Sequence, residues 1–224
     1  MHDGAPRRDL ITAMAVRSRE QLAALIPDCT LPLGERPTAR IAHRTVGEDE
    51  AMFENLRMVT EGMSHRAVAP GTYTVLIADD QFQMSDTPAE KRDHEAVVRA
   101  ATGDCLVMGL GLGMVAQAMA FKPEVRSITV IERNRDVIDL VAPHLSEKVT
   151  VLHDDALEWT PPRGQKWDVI WHDIWPSISL DDRPTRTRLL QRYARKWRVF
   201  HGAWAQDEIR REAARERNRS NRYW

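Results

Sequence analysis

The middle of the chain alternates short continuous apolar runs with longer stretches of helical periodicity. The runs are CLVMGL (105–110), SITVIE (127–132), VTVLH (149–153) and WDVIWHD (167–173). An apolar run without polar alternation is what a strand buried on both faces requires. Between the first three runs lie GMVAQAMAF (113–121) and RDVIDLVAPHL (135–145), which space their apolar residues as helices do. Strand, helix, strand in this rhythm predicts an α/β fold: a Rossmann-like, doubly wound, mainly parallel sheet.

The flanks read differently. Residues 7–27 predict a helix, with Leu10/Met14 and Leu22/Ile26 at i,i+4 and Pro27 near its stop. ARIAHRTV (39–46) is strand-like. A helix follows over 47–61, acidic in its first turn, with Gly62 as candidate C-cap. TYTVLIAD (72–79) and FQMS (82–85) predict a hairpin turning at Asp79-Asp80, and 88–101 predicts a helix opened by Pro88. Beyond the fourth buried run, 184–198 and 205–219 both read as basic helices, with VFHGAW (199–204) as one further short strand. The expected organisation is a small α+β N-terminal extension of helices and a hairpin over 1–101, a core over 102–182, and a basic helical segment over 183–224 packed on it. The sheet is expected to be truncated after strand four, at about five strands.

Composition narrows the partners. The 224 residues include 32 Lys and Arg, 33 Asp and Glu, and 42% hydrophobic positions, as in ordinary globular domains rather than disordered chains. No apolar stretch reaches the ~18 residues of a membrane span, and the N-terminal residues do not resemble a secretory signal. Two cysteines, Cys29 and Cys105, provide neither a disulfide framework nor a zinc ribbon, so a cytoplasmic protein without metal is expected. The formal charge of -1 conceals an asymmetry. Between Arg183 and Trp224, 13 Arg and Lys stand against 4 Asp and Glu, a surplus of nine, so residues 1–182 carry -10. All seven Trp lie from Trp159 onward. The basic end is expected to pack through Leu189, Leu190, Tyr193 and Trp197 with a salt-bridged outer face. Docking onto the acidic remainder, within or between subunits of a homo-oligomer, and binding of nucleic acid phosphates are the alternatives.

The candidate chemistry gathers at the strand ends. The first strand runs into Gly109-Leu110-Gly111-Leu112-Gly113, where glycines permit close backbone approach to a ligand. Glu132 ends the second strand and can accept two hydrogen bonds from a ribose diol. Asp155, with the Ala156 backbone beside it, follows the third and can bond an exocyclic amine of adenine. Asp173 ends the fourth, at the carboxyl edge where open α/β sheets place ligands. Singly, each has a plain alternative: a tight turn, a solvated strand-end charge, a helix cap. Together they fall at the spacing of a nucleotide-binding βαβ unit. The dinucleotide fingerprint G-x-G-x-x-G would need glycine where Met114 stands, which leaves NAD as the second choice of nucleotide, and with no Gly-Lys-Ser/Thr a P-loop is excluded.

This set resembles the class I S-adenosylmethionine-dependent methyltransferases. The stretch Asp79 to Ser85, Asp93-His94-Glu95 on a helix, and then the glycine strand is similar to the spermidine synthase-like superfamily, over roughly residues 70–176. The resemblance implies S-adenosylmethionine as cofactor, with Gln83 and His94 above the glycine loop, Glu132 on the ribose and Asp155 on the adenine. Aminopropyltransferases of that superfamily hold a polyamine between acids, one of them inside the glycine loop. Here that position is Leu112, and Trp175 stands where another acid is expected. An unpaired buried ammonium is costly, so methyl transfer to a small-molecule acceptor is the favoured expectation. Polyamine aminopropyl transfer and a non-catalytic nucleotide- or nucleic-acid-binding module are the alternatives. Asp173 is the first candidate for positioning or deprotonating the acceptor, and His172 the second, though strand alternation favours His172 turning to the opposite face. Trp175 and Pro176 are candidate walls for the acceptor, or plain core packing.

Overall fold

The computed structural model describes residues 20–60 and 66–220. Most of the expected 7–27 helix, and Gly62, lie outside them; residues 20–25 are helical. Strands β1 (Gly34–Arg36), β2 (Ala39–Val46), β3 (Gly71–Ala78) and β4 (Gln81–Ser85) form an antiparallel sheet in that order. Helix α1 (Glu48–Thr60) connects towards β3, and α2 (Pro88–Ala100) follows β4. The β3–β4 hairpin turns at Asp79 and Asp80, both left-handed at φ 51° and 58°, as a two-residue turn matching strand twist requires.

The second sheet has five strands, all parallel, in the order β7-β6-β5-β8-β9: β5 (Gly103–Met108), β6 (Val125–Glu132), β7 (Val149–His153), β8 (Trp167–His172) and β9 (Trp197–Ala203). Helices α3 (Met114–Ala120) and α4 (Arg135–Val141) link its first strands, α5 (Arg183–Tyr193) precedes β9, and α6 (Gln206–Ser220) follows it. The apolar runs explain the centre of the sheet. Cys105, Leu106, Val107 and Met108 are buried, as are Val169 and Ile170, so β5 and β8 are covered on both faces.

One element differs from expectation. The helical periodicity of 184–198 ends early: α5 stops at Tyr193, and Trp197 and Arg198 already belong to β9. Residues 197–203 pair in parallel with β8, Trp167 opposite Trp197 and His172 opposite Ala203. Sheet pairing overrides local helix propensity there, and the basic end contributes a strand to the same sheet as the core. The chain order changes direction around β5: β6 and β7 lie to one side, β8 and β9 to the other. That topological switch point is where a crevice opens in folds of this kind. Among the described residues no helix is long and apolar enough to cross a membrane.

Candidate functional site

A cavity of about 890 Å3 opens at the carboxyl ends of β5, β6 and β8. Of the residues expected from sequence, Gln83, His94, Gly109, Gly111, Glu132, Asp155, Ala156, Asp173, Trp175 and Pro176 line it. Gly113 and His172 do not.

The glycine loop is shaped by contacts that exclude side chains. Gly109 has φ +95°, and a Cβ there would lie 2.0 Å from the Asp173 carbonyl oxygen. Gly111 has φ +53°, and its Cβ would meet Met84 Sδ at 2.2 Å. Gly113 is left-handed too, caps the start of α3, and packs against Val141 and Leu145 rather than the cavity. Its part in the site is thus to bend the chain.

Glu132 is held from two sides, by the glycine loop and by the segment that follows its own strand. Its Oε2 accepts from Leu110 N at 2.9 Å, and its Oε1 from Asn134 N at 2.8 Å. Each carboxylate oxygen has a further lone pair, so the group can still accept two hydroxyl hydrogen bonds. Asp155 accepts from Leu157 N through Oδ1 at 2.7 Å, closing a turn that buries Ala156. Gln83 donates from Nε2 to the Ala78 carbonyl of its own hairpin, which fixes its carboxamide at the cavity wall. These residues fit an adenosine-bearing cofactor: an oriented carboxylate, a loop that presents Gly109 and Gly111 where no side chain fits, and a second acid with an apolar neighbour.

The other half of the cavity holds titratable groups out of water. Burial raises the Asp173 carboxyl to about 7; Asp93 adds to the rise, while Trp171 and Arg186 oppose it. His94, on α2, is 2% exposed, and its Nε2 lies 3.7 Å from Asp173 Oδ2. Burial lowers His94 to about 4, so its ring is neutral at physiological pH. Among the described residues its Nδ1 has no hydrogen-bond partner, a buried polar atom beside a cavity. Glu90 is also pushed up to about 7 by burial, although it accepts from Ser85 N and Oγ. Trp175 is buried at the wall with the Arg186 guanidinium 3.9 Å above its ring. Arg186 in turn donates to the Trp204 carbonyl.

His172 points away. Strand alternation sends it to the opposite face of β8, fully buried, with Nε2 2.9 Å from His201 Nε2 and its ring against Tyr193. The expectation of a direct role for His172 is not met by this placement, because no part of it reaches the cavity.

Sequence reasoning missed three contributors. Met84 Sδ accepts from Leu112 N at 3.2 Å and thereby ties the hairpin to the glycine loop. Asp93 accepts from Arg66 at 2.6 Å and from Trp204 Nε1 at 3.0 Å, joining α2 to the residue after β9. Glu90 reads locally as a first-turn helix carboxylate, and its Thr87 N-cap partner supports that reading. Only the tertiary placement of the hairpin shows that it faces a cavity. Among the described residues no three His, Cys, Asp or Glu side chains converge as a metal site would need.

No family model matches the sequence, and no curated protein matches it. Solved structures do. The complex of DhpI with SAH is 18% identical over 46% of this chain and 48% of that one, at a TM-score of 0.38. The N-methyltransferase NodS from Bradyrhizobium japonicum WM9 is 15% identical over 49% of this chain and 62% of that one, at 0.40. The plantazolicin methyltransferase BpumL in complex with SAH is 15% identical over 47% and 38%, at 0.35. The chain spans about half the length of the DhpI structures it matches. Likenesses this partial leave the assignment of the cavity to its own geometry.

Proposed function

We propose that the protein is an S-adenosylmethionine-dependent methyltransferase acting on a small-molecule acceptor. The observation that carries this reading is the Glu132 carboxylate. Two backbone N–H groups orient it, and it stands at the end of β6, sharing one cavity with Gly109 and Gly111 of the loop and with Asp173. The bound cofactor supplies an electrophilic methyl group. The protein's task is then alignment, for which fixed geometry is the main resource.

In this reading Glu132 takes the ribose hydroxyls, Asp155 and the Ala156 backbone take the adenine, and Gln83 with the orphaned His94 Nδ1 closes over the other end of the cofactor. Asp173 receives the proton that an amine or hydroxyl acceptor loses, since a carboxyl raised to about 7 is matched to that work. Trp175 and Pro176 wall the acceptor side. A spermidine synthase-like ancestry is supported by the order of the β3–β4 hairpin, α2 and the glycine strand. Leu112, buried in the loop, and Trp175 favour methyl over aminopropyl transfer. A cytoplasmic location and a sheet trimmed to five strands belong to the same reading.

Titration calorimetry with S-adenosylmethionine and S-adenosylhomocysteine tests it. Glu132→Gln should weaken both by at least tenfold, the cost of losing charge-assisted hydrogen bonds. Absence of binding by the parent protein, or unchanged binding by the variant, overturns the reading. Product analysis with decarboxylated cofactor and putrescine separates methyl from aminopropyl transfer.

A further inference from the structure

At the opposite edge of the sheet, a second cavity of about 260 Å3 lies between the 162–166 turn before β8 and the end of α5. Lys166, Arg192, Arg195 and Lys196 line it, and among the described residues no carboxylate does. Among the described residues none of the four forms an ion pair. Arg192 donates to the Leu157 and Trp159 carbonyls, which fix its position without neutralising it. Arg188, one turn earlier on α5, is exposed and adds to the same positive field. Like charges gathered without counter-charge repel one another, and an anion relieves that repulsion.

A second observation concerns the same place. Lys166 and Lys196 each precede a Trp, and Trp167 and Trp197 are register partners at the start of β8 and β9. Trp167 is buried, whereas Trp197, next in the chain to the notch residue Lys196, is 40% exposed. An exposed indole next to uncompensated cations is the pairing that single strands use: phosphates on the charges, a base on the ring. Helix α6 shares this character less, because acids of its own are interleaved with its Arg. Arg210 pairs with Asp207, Arg215 with Glu212, and Glu208 and Glu216 are also engaged.

We propose that the notch formed by Lys166, Arg192, Arg195 and Lys196, together with the exposed Trp197 that follows Lys196, is a docking surface for single-stranded nucleic acid. It stands apart from the cofactor cavity by the length of β8, roughly 20 Å. The inference is therefore independent of the methyltransferase reading.

Fluorescence anisotropy of the full-length protein with a short labelled oligouridylate tests it. Four neutralised phosphates predict a roughly fifty-fold loss of affinity between 50 and 200 mM salt. The Lys166→Gln/Arg195→Gln/Lys196→Gln variant should bind at least tenfold more weakly, with the salt slope shallower by about 2. Arg195→Gln alone, at an exposed side chain, should reduce that slope by about 0.7 and covers the case of a triple variant that fails to fold. Trp197→Ala should cost about tenfold in affinity and leave the slope intact. Four outcomes overturn the proposal. They are no binding by the parent, equal affinity for inorganic phosphate or uridine monophosphate, equal affinity for a duplex or for anionic vesicles, and loss of binding in Arg211→Gln/Arg215→Gln/Arg219→Gln with none in the notch variants.

Discussion

The Asp173 carboxyl lies 3.7 Å from a neutral His94 and is raised to about 7 by burial, with Asp93 adding to the rise. A carboxyl with a folded pKa above its unfolded value contributes stability at low pH and loses it as pH rises through about 7. At pH 8 the group is charged in a place that resists charge. Asp173→Asn should therefore raise the melting temperature at pH 8 by several degrees while lowering turnover by about a hundredfold or more. The parent's rate should climb through about pH 7, and the variant should lack that limb; equal pH profiles would remove Asp173 from the proton transfer. His172 marks what sequence shows at this scale. Adjacent positions on a strand face opposite ways, so the pair His172-Asp173 could be read as one residue in the site and one out. Which was which followed from Asp173 standing just past the strand end. The raised Glu90 was not legible, since its burial depends on a hairpin that returns from elsewhere.

Elements set how much of the cavity could be foreseen. The buried strands β5, β6 and β8 were readable from their unbroken apolar runs, and the carboxylates at their ends followed from position. Trp197 and Arg198 look helical from the sequence because Leu189, Leu190, Tyr193 and Trp197 keep a helical spacing. Their parallel pairing with β8 is a contact between segments 30 residues apart, and nothing local signals it. The glycine loop is the element most sensitive to change. Gly109→Ala places a methyl 2.0 Å from a main-chain oxygen, at a φ of +95° that L residues rarely adopt. It should destabilise the fold by about 3 kcal/mol or more and weaken cofactor binding, checked by thermal unfolding and calorimetry. Ala at Gly164, left-handed at φ +78° but with open space around it, should cost only the roughly 1–2 kcal/mol of its backbone conformation.

For the molecule as a whole, buried titratable groups set its response to acid. Burial lowers His94 to about 4, His172 to about 3 and His201 to about 4. Groups depressed in this way hold their stabilising contribution above pH 6.5 and lose it as pH falls towards 3. Asp173 and Glu90, raised to about 7, act with the opposite sign between about pH 4 and 7. The two sets oppose each other, so the parent should lose stability only gradually from pH 6.5 to 4.5. Asp173→Asn/Glu90→Gln removes the opposing set and should make that acid decline clearly steeper by circular dichroism melts. An unchanged slope would mean that the carboxyls do not carry the raised values. Gly109 has a further consequence at this scale. Because main chain meets main chain where it touches Asp173, no rotamer separates the glycine loop from the end of β8. Alignment across the crevice is a property of the backbone. The outer wall at Trp175 and Pro176 can then change residue by residue over evolutionary time, so in the proposed function one scaffold would acquire new acceptors without relearning how to hold its cofactor.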